Sequence, residues 1–538
     1  MADERITWTP ANGLNVEDPA ILVRPDQCVE ARNMLFERGV ARTRPHAVRD
    51  TYGFWPDPSA AKFRFARGML VGADSPNSVV ILSDGTLAKG PQAQALSQSG
   101  GGTLALGDSE FDNINVVNGV FVIGNNGSVG TNGMVRHDPA TSDFTIVAGA
   151  QFRYYASLYS RALGAYKGTG SLETAHTVGW SIAGDETDWS GSGSGETVLA
   201  ETPDEITGVR TVQNVVAVAR SMGWTLGFAT GDGLQPIRWE TLVRHGRQGC
   251  PYPSTIADDG NELLWCGHDN VYHMDMNWSP RAIGGPIRRE LLFWLARGVL
   301  FRGYTARMDF GPAGTVGGAQ ELSSPAPRLR YHLVPISRAG VPHYSFDVDA
   351  RTWSRHFYSY PLLGGCEAFN LTSTSVQTAV TWCNLLFLDE ATPDVLRWGD
   401  GASGAGVVAD EGAFLRSGVF VVGDATHEYK VQRAHIVWAR DGSHGVGDID
   451  PAGVLMTVRC KQQQRWVEQQ YKPLDAYQVA EGSEDWQATF IDTDGKPVGQ
   501  LFQIALEIPP GFPLMIARIE LLLSDAGEMK AGHFKQAA

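Results

Sequence analysis

Asp492-Thr493-Asp494-Gly495 opens like a calcium loop, with carboxylates at alternate positions where a hard cation would take oxygen ligands. The later ligands and the bidentate Glu at the end of such a loop are missing, so a hairpin turn fits these residues better. Asp347 with Asp349, and Asp448 with Asp450, read the same way. His268 and His273 stand in a strand–turn region without zinc-ligand spacing, and hydrogen-bonded or exposed imidazoles are expected there. Ala219-Arg220-Ser221-Met222-Gly223 comes nearest to a nucleophile elbow, but it lacks the first Gly and lies in a strand. Gly191–Gly195 (GSGSG) and Gly168–Gly170 (GTG) neither follow a clear strand nor open a helix, so they read as loops and not as phosphate cradles. Neither H-E-x-x-H nor G-x-x-x-x-G-K-[ST] occurs. The cysteines Cys28, Cys250, Cys266, Cys366, Cys383 and Cys460 form no C-x-x-C pair, which argues against a zinc site or a disulfide framework. Reduced thiols and synthesis in a cytoplasm are the expectation. No catalytic residue, cofactor or metal is expected, and the chain is not expected to be an enzyme.

Two further groupings remain. Asp185 and Asp188 precede Trp189 in a turn that is superficially similar to the Asp-box turns of propeller sialidases, but the S-x-D-x-G-x-x-W spacing fails. A glycosidase would need two carboxylates converging on one sugar site, which sequence alone does not bring together. The other grouping is basic. Arg32, Arg38, Arg42 and Arg44 fall in one locally basic stretch, and Arg288 and Arg289 in a second that runs from Arg281 to Arg307. In a chain with net charge −15 these stand out as candidate interface residues, able to dock on an acidic neighbour through bidentate Arg–carboxylate pairs. The competing reading is a solvated face or pairing within the chain. The acidity itself argues against gripping DNA through a large phosphate-neutralising surface.

The elements that must position such residues are strands. Asn-Gly occurs at Asn12, Asn118, Asn126 and Asn132, and Asp-Gly at Asp84, Asp232, Asp259, Asp400, Asp441 and Asp494, dipeptides that accept the positive φ of two-residue hairpins. Between them lie short apolar or alternating runs such as Ser78–Leu82, Val120–Ile123, Asn214–Val218, Glu262–Cys266 and Asn384–Leu388. Many short strands separated by turns rich in the chain's 62 glycines mean an all-β protein. Helical signals are rare: Pro286–Arg302 reads as an insertion helix packing one face on the sheets, and Glu30–Glu37 as a second short helix. No apolar run is long enough for a transmembrane helix, and Met1–Pro10 lacks the pattern of a secretory signal.

A unit recurs: a strand, an Asp-containing turn, then an aromatic that starts the next strand. Its copies are Met134–Phe144, Gly179–Trp189, Gly227–Trp239, Val271–Trp278, His343–Trp353 and Asp394–Gly401. The turn aspartates Asp138, Asp185, Asp232, Asp275, Asp347 and Asp400 are separated by 47, 47, 43, 72 and 53 residues. The shorter intervals match a four-stranded propeller blade, and the long one holds the helical insertion and the Gly311–Pro327 segment. With an earlier unit near Phe63–Leu87, the spacing predicts a β-propeller of about six or seven blades, Ile6–Val23 supplying the strand that closes it. Trp or Phe is expected in the wedge between neighbouring blades. A pair of β-sandwiches is the competing architecture. After Asp410 the spacing changes: Ala434–Trp438, Val454–Arg459, Trp486–Asp492, Leu501–Ile508 and Met515–Leu523 predict a separate antiparallel β-sandwich-like domain. The expected domains are 1–410, a propeller with an insertion at about 284–327, and 411–538.

The order of these segments carries a resemblance. Ile21–Pro45, with Glu30, Asn33, Gly39 and Arg44-Pro45, is followed by Gly179–Trp189, Glu205–Phe228, a Gly-Cys at Gly249 and Asp258–Asp275. This resembles the propeller proteins of tailed-bacteriophage tails, the nozzle or hub and packaged-DNA stabilisation proteins, over roughly Ile21 to Asp400. The resemblance implies a structural virion protein, made in the host cytoplasm. It implies a homo-hexameric ring below the portal and adaptor, with fibres or a needle as further neighbours. Double-stranded DNA would pass through without sequence recognition, the acidic chain repelling phosphates. The readings from other classes are a receptor- or carbohydrate-binding tail protein and a propeller glycoside hydrolase.

Overall fold

In the computed structural model, the described residues are 4–44, 47–49, 63–99, 114–124, 133–167, 172–308, 328–398, 412–440, 453–472, 487–510 and 514–528, apart from short gaps inside these ranges. They form an all-β protein. Six four-stranded sheets and one five-stranded sheet follow one another along the chain. They occupy about 63–95, 114–147, 154–198, 206–242, 257–282, 301–356 and 362–398. Each is built on antiparallel hairpins; the five-stranded sheet adds Ser97–Gln98 in parallel, and the last sheet takes its outer strand from Ala47–Arg49. Asn118 at φ 48° and Gly119 at φ 80° make the expected two-residue turn, with Val117 opposite Val120. Asp259-Gly260 makes another turn, its carboxylate accepting the amides of Asn261 (2.9 Å) and Glu262 (2.8 Å).

The recurring unit has a fixed structural meaning. Asp138, Asp185, Asp232 and Asp275 lie in the connection between the third and fourth strands of a sheet, and Asp347 is the last residue of such a third strand. Each following aromatic packs in the apolar cluster shared with the sheet before its own. Phe144 packs beside Leu87, Trp189 beside the Val117–Phe152 cluster and Trp239 beside the Tyr154–Val178 cluster. Trp278 packs beside Trp224 and Trp265, and Trp353 beside Leu264. Asp400 lies outside the described residues.

The first strands of successive sheets lie against one another. Phe63–Val71 touches Ile114–Val117, which touches Tyr154–Leu158, which touches Ile206–Val212. Ala257–Asp258 touches Phe301–Met308, which touches Leu362–Thr374, which returns to Phe63–Val71. The remaining step, from Ile206–Val212 to Ala257–Asp258, is made by Gln213 N donating to Gly260 O at 3.0 Å and by Arg210. The sheets thus form a closed circuit. Gly303 sits where a Cβ would collide with the Thr255 carbonyl, so this close approach of the Phe301–Met308 strand to the 3₁₀ turn Pro253–Thr255 requires glycine.

The remaining strands build two larger sheets. The seven-stranded sheet runs Met34–Glu37, Val40–Thr43, Leu514–Glu528, His427–Arg440, Gln487–Asp492, with Glu4–Trp8 and Val498–Gly499 attached. The six-stranded sheet runs Cys28–Arg32, Ala413–Ser417, Leu501–Ile508, Leu455–Gln462, Arg465–Tyr471, with Phe420–Val421 attached. Trp8, Ile436, Trp438, Ile519 and Leu521 of the first sheet share one buried cluster with Leu415, Met456, Val458, Ile504 and Leu506 of the second. The same cluster continues into Leu333, Tyr344 and Trp353 of the 301–356 sheet and into Leu291 of the helix.

Four expectations need correction. Residues 1–44 were expected in the first domain but supply strands to the C-terminal sheets, because Ile6, Trp8, Met34 and Phe36 find their apolar partners there. Ile6–Val23 does not close the circuit; Ala47–Arg49 does, pairing with Val395–Trp398. Glu30–Glu37 is not a helix. It splits between Cys28–Arg32 and Met34–Glu37, with Asn33 at φ 55° between them, since a strand partner for each half, Ala413–Ser417 and Val40–Thr43, outweighs local preference. The insertion helix is shorter than expected, Arg288–Ala296 after a 3₁₀ turn over Gly285–Ile287. Gly298 at φ 73° ends it, and Arg302 is already in a strand. The Gly311–Pro327 segment lies outside the described residues.

Candidate functional site

The inner circuit is the place where seven sheets converge, and it is fastened by polar side chains reaching from one first strand to the next. Asn115 Nδ2 donates to Tyr155 O, and Thr211 Oγ1 to Ser157 O. Arg210 donates to Ile256 O (3.3 Å) and pairs with Asp258 at 3.3 Å, both side chains nearly buried. Thr305 Oγ1 donates to Asp258 O at 2.6 Å, Arg302 to Leu363 O at 2.8 Å, and Arg307 N to Glu367 Oε1 at 2.7 Å. Each of these bonds ties one sheet to its neighbour, so the sheets from 114–147 to 362–398 cannot tilt singly without breaking a polar contact. Two of the cations on this belt face carboxylates, Arg210 with Asp258 and Arg307 with Glu367, while Arg302 serves a backbone carbonyl.

The joint between the circuit and the two larger sheets is equally specific. Asn33 is its hub: its N–H donates to Arg355 O (2.9 Å), its carbonyl accepts Arg44 N (2.8 Å), its Oδ1 accepts Phe357 N (2.9 Å) and its Nδ2 donates to Gly412 O (3.2 Å). Arg355 pairs with Glu290 of the helix at 2.8 Å and donates to Ala31 O at 3.2 Å. Leu14 N donates to Trp353 O, Val16 N to Pro286 O, and Arg289 N to Glu17 Oε2. The N-terminal segment therefore clamps the 301–356 sheet and the insertion helix to the C-terminal sheets.

Beside the joint lies a fully buried imidazole cluster that sequence reading missed. His332 Nδ1 and His343 Nε2 share a hydrogen bond at 3.0 Å, and Ser345 Oγ with His356 Nε2 another at 2.8 Å. Tyr304 stacks on His332, and the Arg44 guanidinium lies 4.3 Å from the Tyr358 ring centre. Burial, helped by the nearby positive charge of Arg44, pushes His343 down to about 3. Burial lowers His332 and His356 well below the usual imidazole range, with Arg330 adding to both shifts. Arg330 pairs with Asp347 at 2.9 Å, both side chains wholly enclosed, and Arg328 joins at 3.2 Å. The only signal available in sequence was that His332, His343 and His356 fall on three consecutive strands, and no local spacing marks that.

The sequence-predicted candidates scatter. Arg32 is half exposed, paired with Glu30 at 2.8 Å and set against the rings of Phe357 and Phe414. Arg42 and Arg44 are buried inside the chain, which corrects their reading as surface interface residues: Val40–Thr43 is an inner strand of the seven-stranded sheet, between Met34–Glu37 and Leu514–Glu528, and Arg44 packs on Tyr358. Arg38 lies outside the described residues. Arg288 and Arg289 are exposed at the start of the helix, Arg288 donating to Asp269 O at 3.0 Å. His268 and His273 take different partners, Ser221 O and Glu262, and do not converge. Asp185 and Asp188 spend their carboxylates on turns. Thr187 hydroxyl and amide hold Asp185 low, and the Ser190 and Gly191 amides hold Asp188 low. Glu186 between them is buried, which pushes it up. Hydrogen bonds from Arg136 (2.7 Å) and Asn118 (3.1 Å) outweigh that, for a net lowering. Asp492 ends a strand, while Asp494, Asp448 and Asp450 lie outside the described residues. Among the described residues no group of His, Cys, Asp or Glu is arranged to hold a metal ion. No helix among them is long and apolar enough to cross a membrane.

No family model and no curated protein sequence matches the chain. Among solved structures, it is similar to the extracellular domain of a hybrid two-component system from B. thetaiotaomicron at 9% identity and a TM-score of 0.33. That match covers 90% of this chain and 63% of the other, so the chain spans less than two thirds of its length. Fructan 1-exohydrolase IIa from Cichorium intybus, in complex with 1-kestose, matches at 9% identity and a TM-score of 0.23, over 89% and 97% of the two chains. β-Fructofuranosidase from Schwanniomyces occidentalis, complexed with fructosyl-erythritol, matches at 7% identity and a TM-score of 0.25, over 89% and 98%. Scores of this size assign neither a family nor an activity to this chain.

Proposed function

We propose that this chain is a structural subunit of a bacteriophage tail, a nozzle or hub. In this reading the circuit of sheets is a seven-bladed β-propeller and the two larger sheets form a β-sandwich that completes a single rigid body. Copies assemble as a closed homo-hexameric ring below the portal and adaptor, in contact with fibres or a needle. Double-stranded DNA passes through the ring without sequence recognition, and the ring helps to retain packaged DNA. The observation that carries the reading is the closed circuit itself. Its inner strands are cross-tied by side chains, among them the Arg210–Asp258 and Arg307–Glu367 pairs, and it is locked to the larger sheets through Asn33, Arg355 and a continuous apolar core. That construction transmits force and keeps shape; its polar side chains serve backbone carbonyls and one another. The net charge of −15 suits a wall along which phosphates slide without sticking.

Negative-stain electron microscopy of the purified protein tests the reading. A closed ring with an open centre is expected. A strictly monomeric particle, together with turnover on a panel of glycosides that is lost on mutating a pair of carboxylates, would replace it with a propeller hydrolase.

A further inference from the structure

The charge of this chain is segregated. Between Lys167 and Arg210 there are eight acidic residues and no Lys or Arg. Between Arg281 and Arg307 there are six arginines and a single acidic residue, Glu290, which is taken by Arg355. The fold places the two stretches apart. The acidic one supplies the outermost strand of the 154–198 sheet, Gly195–Val198, and the connection that follows it, with Glu196, Glu201 and Glu205 exposed. Lys167 offsets Glu196 at 2.6 Å; Glu201 and Glu205 have hydroxyl partners, Thr241 and Tyr166. The basic stretch supplies the insertion helix. Leu291 of that helix is buried in the core, while Arg288, Arg289, Phe293 and Arg297 are exposed, the Arg297 guanidinium lying 3.9 Å from the Phe293 ring centre. An arginine stacked on an exposed aromatic keeps its fork open to a carboxylate while the ring offers apolar contact.

Along the circuit the 206–242 and 257–282 sheets stand between these two surfaces, so they do not neutralise each other within one copy. We infer that they meet between copies: the Arg288–Arg297 helix face of one subunit docks on the Glu196–Glu205 edge of a second copy of this chain. The contact joins two different surfaces, so it is heterologous, and repetition closes a ring or extends a chain. This inference rests on the ring reading above and names the surfaces that would build it.

Charge exchange tests it. One variant carries Arg288→Glu, Arg289→Glu and Arg297→Glu; the other carries Glu196→Lys, Glu201→Lys and Glu205→Lys. All of these side chains are exposed, and unchanged melting temperatures check the fold. If a triple variant melts early, the single Arg297→Glu and Glu205→Lys forms replace it. Sedimentation velocity at low salt should find the wild type assembled and each variant monomeric, with apparent dissociation constants raised at least about a hundredfold. An equimolar mixture of the two variants should assemble again, because each reversed surface then meets a reversed partner. Variants that stay assembled, or a mixture that stays monomeric, overturn the inference while leaving the ring reading intact. A wild type that is monomeric at every concentration overturns both.

Discussion

His332, His343 and His356 are kept neutral by burial, and that gives the fold a defined response to acid. A base whose folded pKa lies below its unfolded value binds more protons when unfolded. Its contribution to stability is full above the ordinary value of about 6.5 and is lost as pH falls toward the folded value, about 3 for His343. Melting temperature should therefore drop steeply between pH 6.5 and 3, and His343→Gln should flatten that slope; a melting temperature indifferent to pH in this window would contradict the burial argument. The neighbouring Arg330–Asp347 pair makes a second prediction. Asp347→Asn leaves the enclosed guanidinium without its charge partner and should cost about 3–5 kcal/mol in denaturant unfolding, more than the same change at exposed Asp232. Asn33 offers a third. It combines positive φ with side-chain bonds to Phe357 and Gly412, so Asn33→Gly loses only the bonds, while Asn33→Ala also strains the backbone. The alanine form should be about 1 kcal/mol the less stable of the two in urea titrations. Of this scale the sequence displayed little: it marked Asn33 and Arg44 within a pattern, but not that one is the hub and the other an enclosed cation.

The recurring strand–Asp–turn–aromatic unit belongs to the scale of elements, and there sequence reading reached furthest. The aspartate and the aromatic have separate jobs. The first closes the hairpin between third and fourth strands through amide bonds, as Asp275 does with Asn277 N at 3.0 Å. The second fills the space against the preceding sheet. Their energies should differ accordingly. Asp275→Ala should cost about 1 kcal/mol, one exposed hydrogen-bonded turn, whereas Trp353→Ala should cost about 3–5 kcal/mol, a buried ring and its cavity. Thermal unfolding of the two variants separates them. Elements without a repeat were harder to read. Glu30–Glu37 has local helical character; Ala413–Ser417, more than 370 residues away in sequence, pairs with its first part, and Val40–Thr43, itself paired with Leu514–Glu528, holds its second part extended.

At the scale of the whole molecule, chain ends matter most. Ala47–Arg49 supplies the outer strand of the last sheet in the circuit, and Glu4–Trp8 and Cys28–Arg32 supply strands to the two larger sheets. Removing residues 1–49 should therefore disable both parts at once. The truncated chain should fail to give a cooperative unfolding transition by calorimetry, where two independent domains at 1–410 and 411–538 would leave the C-terminal transition in place. Composition and turn dipeptides alone were sufficient for the all-β class and for the repeating unit, because hairpin turns and the aromatic wedge are local: the residues that need each other are neighbours in sequence or one sheet apart. Which strand closes the circuit, where residues 1–44 go, that Arg42 and Arg44 are buried and that three histidines meet were decided by tertiary structure. The first three depend on pairing between segments hundreds of residues apart, and on which apolar faces remain uncovered once the local hairpins have formed; the histidines meet because three adjacent strands, with His343 opposite His356, carry them into one enclosed space.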